Sequence, residues 1–264
     1  MKLPFFKHRK KIEFFTILPG VEKMYPVTNA GEAKPSWFYK EAQNYKEYKS
    51  KCPFALLNRT FKRTTILKCP GVIKTLERGY VLYNCIDFII EPKENGHVAF
   101  HLPPGYHLGE NNFYAKNKYI EIRKGPDLFG INPLPGCYDF HLKLNLPWKV
   151  RAPKDIVFLE LPLLYGDIRS IIPVGGTLDP QHSININPVF WVAKTETPIH
   201  ISAGTPLLQL IPIPRKEYKA DLVIRQQTNQ EVQKQNEYTF LREHSFDTNI
   251  SFQTKVADAI WSDE

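Results

Sequence analysis

Between Val174 and Ile213 the chain runs through Gly175-Gly176-Thr177-Leu178-Asp179, then the alternating stretch Ser183-Ile184-Asn185-Ile186-Asn187, a short hairpin, and Ala203-Gly204-Thr205-Pro206-Leu207-Leu208-Gln209-Leu210-Ile211. Glycine permits tight turns, and period-two alternation buries one face of a strand while the other meets water. A segment built this way folds into antiparallel sheet and resists a helical bundle. The same pattern reaches back to Tyr80. Strands are expected at Tyr80–Ile90, His97–Leu102, Tyr119–Arg123, Tyr138–Leu144, Asp155–Leu161, Ser170–Val174, Ser183–Ala193, Pro198–Ser202 and Leu207–Ile213, with a turn at Gly176–Asp179. Glu94-Asn95-Gly96, Pro103-Pro104-Gly105, Lys124-Gly125-Pro126 and Pro135-Gly136 separate them.

Many short strands without intervening long helices predict a mainly β protein, an antiparallel barrel or sandwich. The 22 prolines, 13% aromatic residues and two methionines agree with that class. Helices are expected at the ends. Pro35-Ser36 opens Trp37–Lys49 with Ser36 as N-cap, Pro70 starts a short helix over Val72–Arg78 that Gly79 stops, and Gln226–Glu243 reads as an exposed helix. Ile12–Leu18 reads as a first strand, and Val256–Trp261 as a segment docking the chain's end. Three parts follow: a basic, partly helical segment 1–78 packing on the body, a β body 79–215, and a polar, helical tail 216–264.

Residues 1–78 hold 17 Lys and Arg against 6 Asp and Glu, whereas residues 79–264 hold 18 against 21. An anionic partner such as nucleic acid would therefore meet the N-terminal third, where Trp37, Phe38, Tyr39, Tyr45, Tyr48 and Phe61 could stack on bases. No recognised nucleic-acid motif frames them, and a solvated basic face over an aromatic layer is the commoner arrangement. The longest apolar runs, such as Ile86–Ile90 and Val189–Ala193, fall far short of the ~20 residues of a membrane helix. Lys7-His8-Arg9-Lys10-Lys11 interrupts any secretory core, so the expected location is the cytoplasm of a host or a virion. Cys52, Cys69, Cys85 and Cys137 have no Cys-x-x-Cys spacing and read as buried or half-buried free thiols. Only Cys69, at a helix start beside Lys68, has a setting that lowers a thiol pKa.

Gly176-Thr177-Leu178-Asp179, the alternating strand, and Gly204-Thr205-Pro206-Leu207-Leu208-Gln209-Leu210-Ile211 together resemble the C-terminal half of a dUTPase-type clip fold. That resemblance implies Arg169, Asp179 and Gln209 as ligand-binding candidates, Asp179 as the catalytic candidate, and Mg²⁺ as cofactor. The sequence departs from the family's pattern. Pro180-Gln181-His182 stands where a second Asp and a Tyr-Arg pair belong, Ile171 follows Arg169-Ser170 in place of Gly, and no glycine follows Arg215 to wrap a triphosphate. Over residues 35–215 the chain also resembles an uncharacterised family carried by tailed phages, marine ones in particular. The features carrying this are Pro35-Ser36-Trp37-Phe38, Lys68-Cys69-Pro70-Gly71, Gly79-Tyr80-Val81, Asp87, Pro147–Pro153 and Gly204–Arg215.

His97, His101 and His107, with Glu110, form a second constellation, in the manner of a cupin-like metal centre. Positions four apart on a strand lie about 13 Å apart, too far for two imidazoles on one ion, so edge-strand histidines are the plainer reading. The expected function is that of a phage-type, non-catalytic binding or assembly module with no cofactor. It would self-associate or join other phage proteins. A dUTPase-like nucleotide hydrolase and a metal-binding cupin-like protein are the alternatives.

Overall fold

The computed structural model describes residues 11–51, 66–93, 97–102, 119–124, 134–163, 166–216 and 222–244. The chain divides into two compact units, one of Met1–Ser36 with Leu76–Glu217 and one of Trp37–Thr75 with Tyr218–Glu264. Among the described residues the protein is mainly β, with 38% strand against 23% helix.

The first unit holds every strand among the described residues. They are β1 (Glu13–Thr16), β2 (Thr28–Asn29), β3 (Tyr80–Tyr83), β4 (Phe88–Pro92), β5 (Val98–His101), β6 (Ile120–Lys124), β7 (Cys137–Leu144), β8 (Trp148–Arg151), β9 (Ile156–Pro162), β10 (Ile171–Pro173), β11 (Gly176–Leu178), β12 (Val189–Ala193), β13 (Ile199–Ile201) and β14 (Pro206–Pro214). Four antiparallel sheets result, in the orders β11-β9-β14-β3-β2, β10-β12-β7-β6, β13-β4-β5 and β1-β8. Of the two expected architectures, the closed barrel is not formed: among the described residues each sheet is open, the largest bounded by β11 and β2.

β14 lies at the centre of the five-stranded sheet, and Leu207–Leu210 are all buried, so both of its faces are covered. That is why this strand reads as a nearly unbroken apolar run. Leu210 pairs with Glu160 and Tyr80, and Pro212 with Phe158. In the four-stranded sheet Phe190 pairs with Leu142, which pairs with Ile122. Leu82, Leu142, Phe158, Phe190, Leu208 and Leu210 are fully buried in one hydrophobic core. Phe14 reaches into it from β1, edge-on to Tyr80 with ring centres 5.0 Å apart and 6.2 Å from Phe158.

Three segments differ from the sequence expectation. The single strand expected over Tyr80–Ile90 is two, β3 and β4, in different sheets. The chain changes sheets at Asn84, whose side-chain amide donates to the carbonyls of Ile86, Ile201 (3.3 Å) and Ser202 (3.1 Å). Ser183–Ala193 forms a strand only from Val189, because Pro188 has no N–H for a ladder. The preceding stretch lies along β8 instead: Val150 N–H donates to Ile184 O (2.9 Å) and Ile186 N–H to Trp148 O (3.3 Å). Finally, Gly176–Leu178 is not a turn but β11, paired with β9. The turn follows it, where the N–H groups of His182 and Ser183 both donate to Asp179 O at 2.9 Å.

A short helix, α1 (Val21–Met24), follows β1, and α2 (Ser36–Lys51) begins at the expected serine. The Ser36 N–H and hydroxyl both donate to the Asp167 carboxylate at 3.0 Å, so the negative charge at this helix start comes from a distant loop. In the second unit, Trp37 and Tyr45 on α2 are half-buried. α3 (Pro70–Leu76) ends two residues before the expected Arg78. Asn229–Phe240 of α4 (Asn229–His244) are exposed except for the half-buried Glu231, Lys234, Tyr238 and Thr239, and the Val256–Trp261 segment lies outside the described residues. A capping box starts α4: Thr228 Oγ1 accepts from Glu231 N–H (3.3 Å), and Glu231 accepts from Thr228 N–H (2.7 Å). Among the described residues no helix is long and apolar enough to cross a membrane.

Candidate functional site

Asp179 follows β11 and is fixed on every side. Gln181 N–H donates to its Oδ1 at 2.9 Å, His182 Nδ1 stands 3.1 Å from Oδ2, and Arg215 grips both oxygens with its two terminal nitrogens. The Arg215 guanidinium, helped by the Gln181 N–H, holds the Asp179 carboxyl below the usual carboxylate range. Arg215 is itself held, with Nε donating to Lys154 O (2.7 Å) and its backbone N–H to Asp155 O (2.8 Å). The arrangement is a clasp that ties the end of β14 to the β11 turn. It leaves the carboxylate already occupied by a cation. Sequence reasoning missed Arg215; its place directly after the last proline of a long strand was the available signal.

The other two ligand candidates are not gathered with Asp179. Gln209 is buried in β14, and its amide donates to Arg78 O. It pairs with Leu161, whereas Leu178 pairs with Phe158, so Asp179 is displaced four positions, about 13 Å, along the sheet. Gln209 instead borders a cavity of about 70 Å³ with Lys34 and Asp167, room for about two waters. Arg169 is exposed on the loop before β10.

His97 and His101 are both exposed at β5. His101 Nε2 lies 2.6 Å from Glu91 Oε2, which Lys93 also contacts at 2.8 Å, and these contacts with Lys93 and His101 lower the Glu91 pKa. His107 and Glu110 lie outside the described residues, as does most of the basic run Lys7–Lys11. Among the described residues no group of three or more His, Cys, Asp or Glu is arranged to hold a metal ion. Cys69 is exposed, not half-buried as expected, while Cys85 and Cys137 are buried. Burial pushes the Cys85 thiol up to about 12, against a smaller pull from the Trp148 indole, so it stays protonated and unreactive.

A concave site that the sequence did not announce opens beside β1. This cleft of about 720 Å³ is lined by six consecutive residues, Phe14 to Pro19, together with Glu22, Pro26, Val27, Asn29, Tyr80 and Trp148. Consecutive lining residues mean that the main-chain edge of β1, and not only its side chains, borders the cleft. Among the described residues β1 pairs with β8 alone, and β8 takes Ile184–Ile186 on its other side, so β1 is an edge strand. Its lining is aromatic and aliphatic with one carboxylate, Glu22, and no cation. Such a surface suits an extended apolar segment better than group transfer. The residue signal was faint: Ile17, in an otherwise half-buried strand end, is 49% exposed.

No protein-family model matches the chain, and no curated protein matches it.

Proposed function

We propose that this chain is a non-catalytic assembly module, of the kind carried by tailed phages, that self-associates through the arm formed by residues 222–244. One observation carries the reading: Leu222, Val223 and Ile224 are 86%, 73% and 86% exposed, the one run of three consecutive exposed large apolar residues among the described residues. A monomer that keeps such a run in water gains nothing by it, whereas an assembling subunit hides it in a neighbour. The segment leads directly into α4, whose capping box is reinforced by Arg225 on Glu231. Light scattering on the full chain tests the reading. A mass above one chain, lost on Leu222→Asp with Ile224→Asp, supports it, and a monomer at all concentrations ends it. Mass spectrometry of purified virions tests whether the assembly is a particle component.

Nucleotide hydrolysis with Mg²⁺ at Asp179 is the competing reading. The Arg215 clasp weighs against it, since an in-site carboxylate would need an oxygen for water or sugar. Pyrophosphate release from any nucleoside triphosphate in a complete panel, abolished by Asp179→Ala, would establish it.

A further inference from the structure

We propose that the cleft beside β1 is the receptor for Leu222–Ile224 of a second copy, which adds to the open edge of β1 as an extra strand. The inference rests on the self-association reading above and names its contact surface. An edge strand offers unpaired main-chain groups to another chain, and proteins usually guard such edges with charges or prolines. β1 is guarded only at its ends, by Glu13 and by Pro19, and the stretch between them, Phe14 to Leu18, is uncharged.

The occupant fits that edge in three ways. First, Leu222–Ile224 form neither helix nor strand within their own chain, so no ladder of their own occupies their N–H and C=O groups. Second, Val and Ile favour strands, and in an extended backbone Leu222 and Ile224 point to one side about 7 Å apart, both able to enter the cleft while Val223 faces away. Third, the charges are opposite: the cleft lining carries Glu22 and no Lys or Arg, while residues 222–228 carry Arg225, which also holds Glu231, and no Asp or Glu. Exchange between two copies repeats the contact about a two-fold axis, so that each arm fills the other's cleft and a closed dimer forms.

The test uses the full chain and two variants altered only at exposed positions, Leu222→Asp with Ile224→Asp in the arm and Ile17→Asp in the cleft. Unchanged far-ultraviolet circular dichroism and thermal midpoint verify folding. Light scattering across a concentration series should give a dimer for the wild type and a weakening of about tenfold or more for each variant alone. Mixing the two variants should restore a heterodimer, because one intact arm then meets one intact cleft. A dimer undisturbed by Ile17→Asp yet broken by the arm variant overturns the cleft as receptor while leaving self-association standing. A monomeric wild type overturns both.

Discussion

The side chain of Asn84 is completely buried, and every polar atom on it is used. Its amide serves three carbonyls, its Oδ1 accepts from the Tyr119 hydroxyl at 2.7 Å, and that hydroxyl in turn accepts from Cys85 N–H at 3.2 Å. The backbone joins in, with Asn84 N–H donating to Thr205 O and Gly204 N–H to Asn84 O, both at 2.8 Å. One residue thus knots the β3–β4 crossing to the turn before β14. Removing a partner from a buried network costs more than the bond itself gains, because the survivor is stranded without water. Tyr119→Phe should lower unfolding free energy by about 1–3 kcal/mol, and Asn84→Ala by about 3 kcal/mol or more, in urea titrations. Glu160 is the opposite case, a half-buried carboxyl on β9 with its pKa raised by burial. Because its native pKa lies above its ordinary value of 4.5, the stability it allows is fully present below that pH and is lost as pH rises through the native value. Glu160→Gln should therefore raise the urea midpoint at pH 7 and leave it unchanged at pH 4; an equal gain at both would show that charge burial is not the cause.

Elements hold where backbone demands and side-chain pattern coincide. Gly79, between α3 and β3, has φ +74°, and a Cβ there would stand 2.1 Å from Leu210 O in the middle of the largest sheet. Gly79→Ala combines a strained φ with a clash against a main-chain atom that cannot swing away, and should destabilise by more than the ~1 kcal/mol that a compatible glycine-to-alanine change gains. Calorimetry of that variant reads it directly. α4 depends on its start, being too exposed to gain much from packing: Thr228→Ala should destabilise the helix by about 1 kcal/mol. Amide exchange in α4 should quicken severalfold while the strands stay protected. The strands were legible because alternation and β-branched residues report burial locally. Their interruptions were not: nothing near Asn84 says that its amide will meet Ile201 and Ser202, and nothing near Ser183 says that β8 will come alongside. The exposed helix was legible from its composition, with boundaries shifted to where Thr228 and Glu231 close the capping box.

At the scale of the whole molecule, the candidate sites divide the same way. Asp179 was recognisable as a turn residue from its neighbours, but its partner Arg215 is 36 residues away and only the β9–β14 pairing brings it there. The cleft needed β1, β8 and β3 to be placed before it existed, so no single segment could announce it. The exposed Leu222-Val223-Ile224 run looks in sequence like any strand; only the fold reveals that no partner strand covers it among the described residues. If the arm is buried between copies, folding and association are linked, and mass action must appear in the thermal midpoint. A tenfold rise in protein concentration then adds about 1.4 kcal/mol to a dimer, and because two chains of this size unfold together the midpoint moves by roughly 1–3 °C. The wild type should show that rise in scanning calorimetry, and Leu222→Asp with Ile224→Asp should unfold at one temperature whatever its concentration. A wild-type midpoint equally indifferent to concentration would mean that the apolar arm is not buried by assembly.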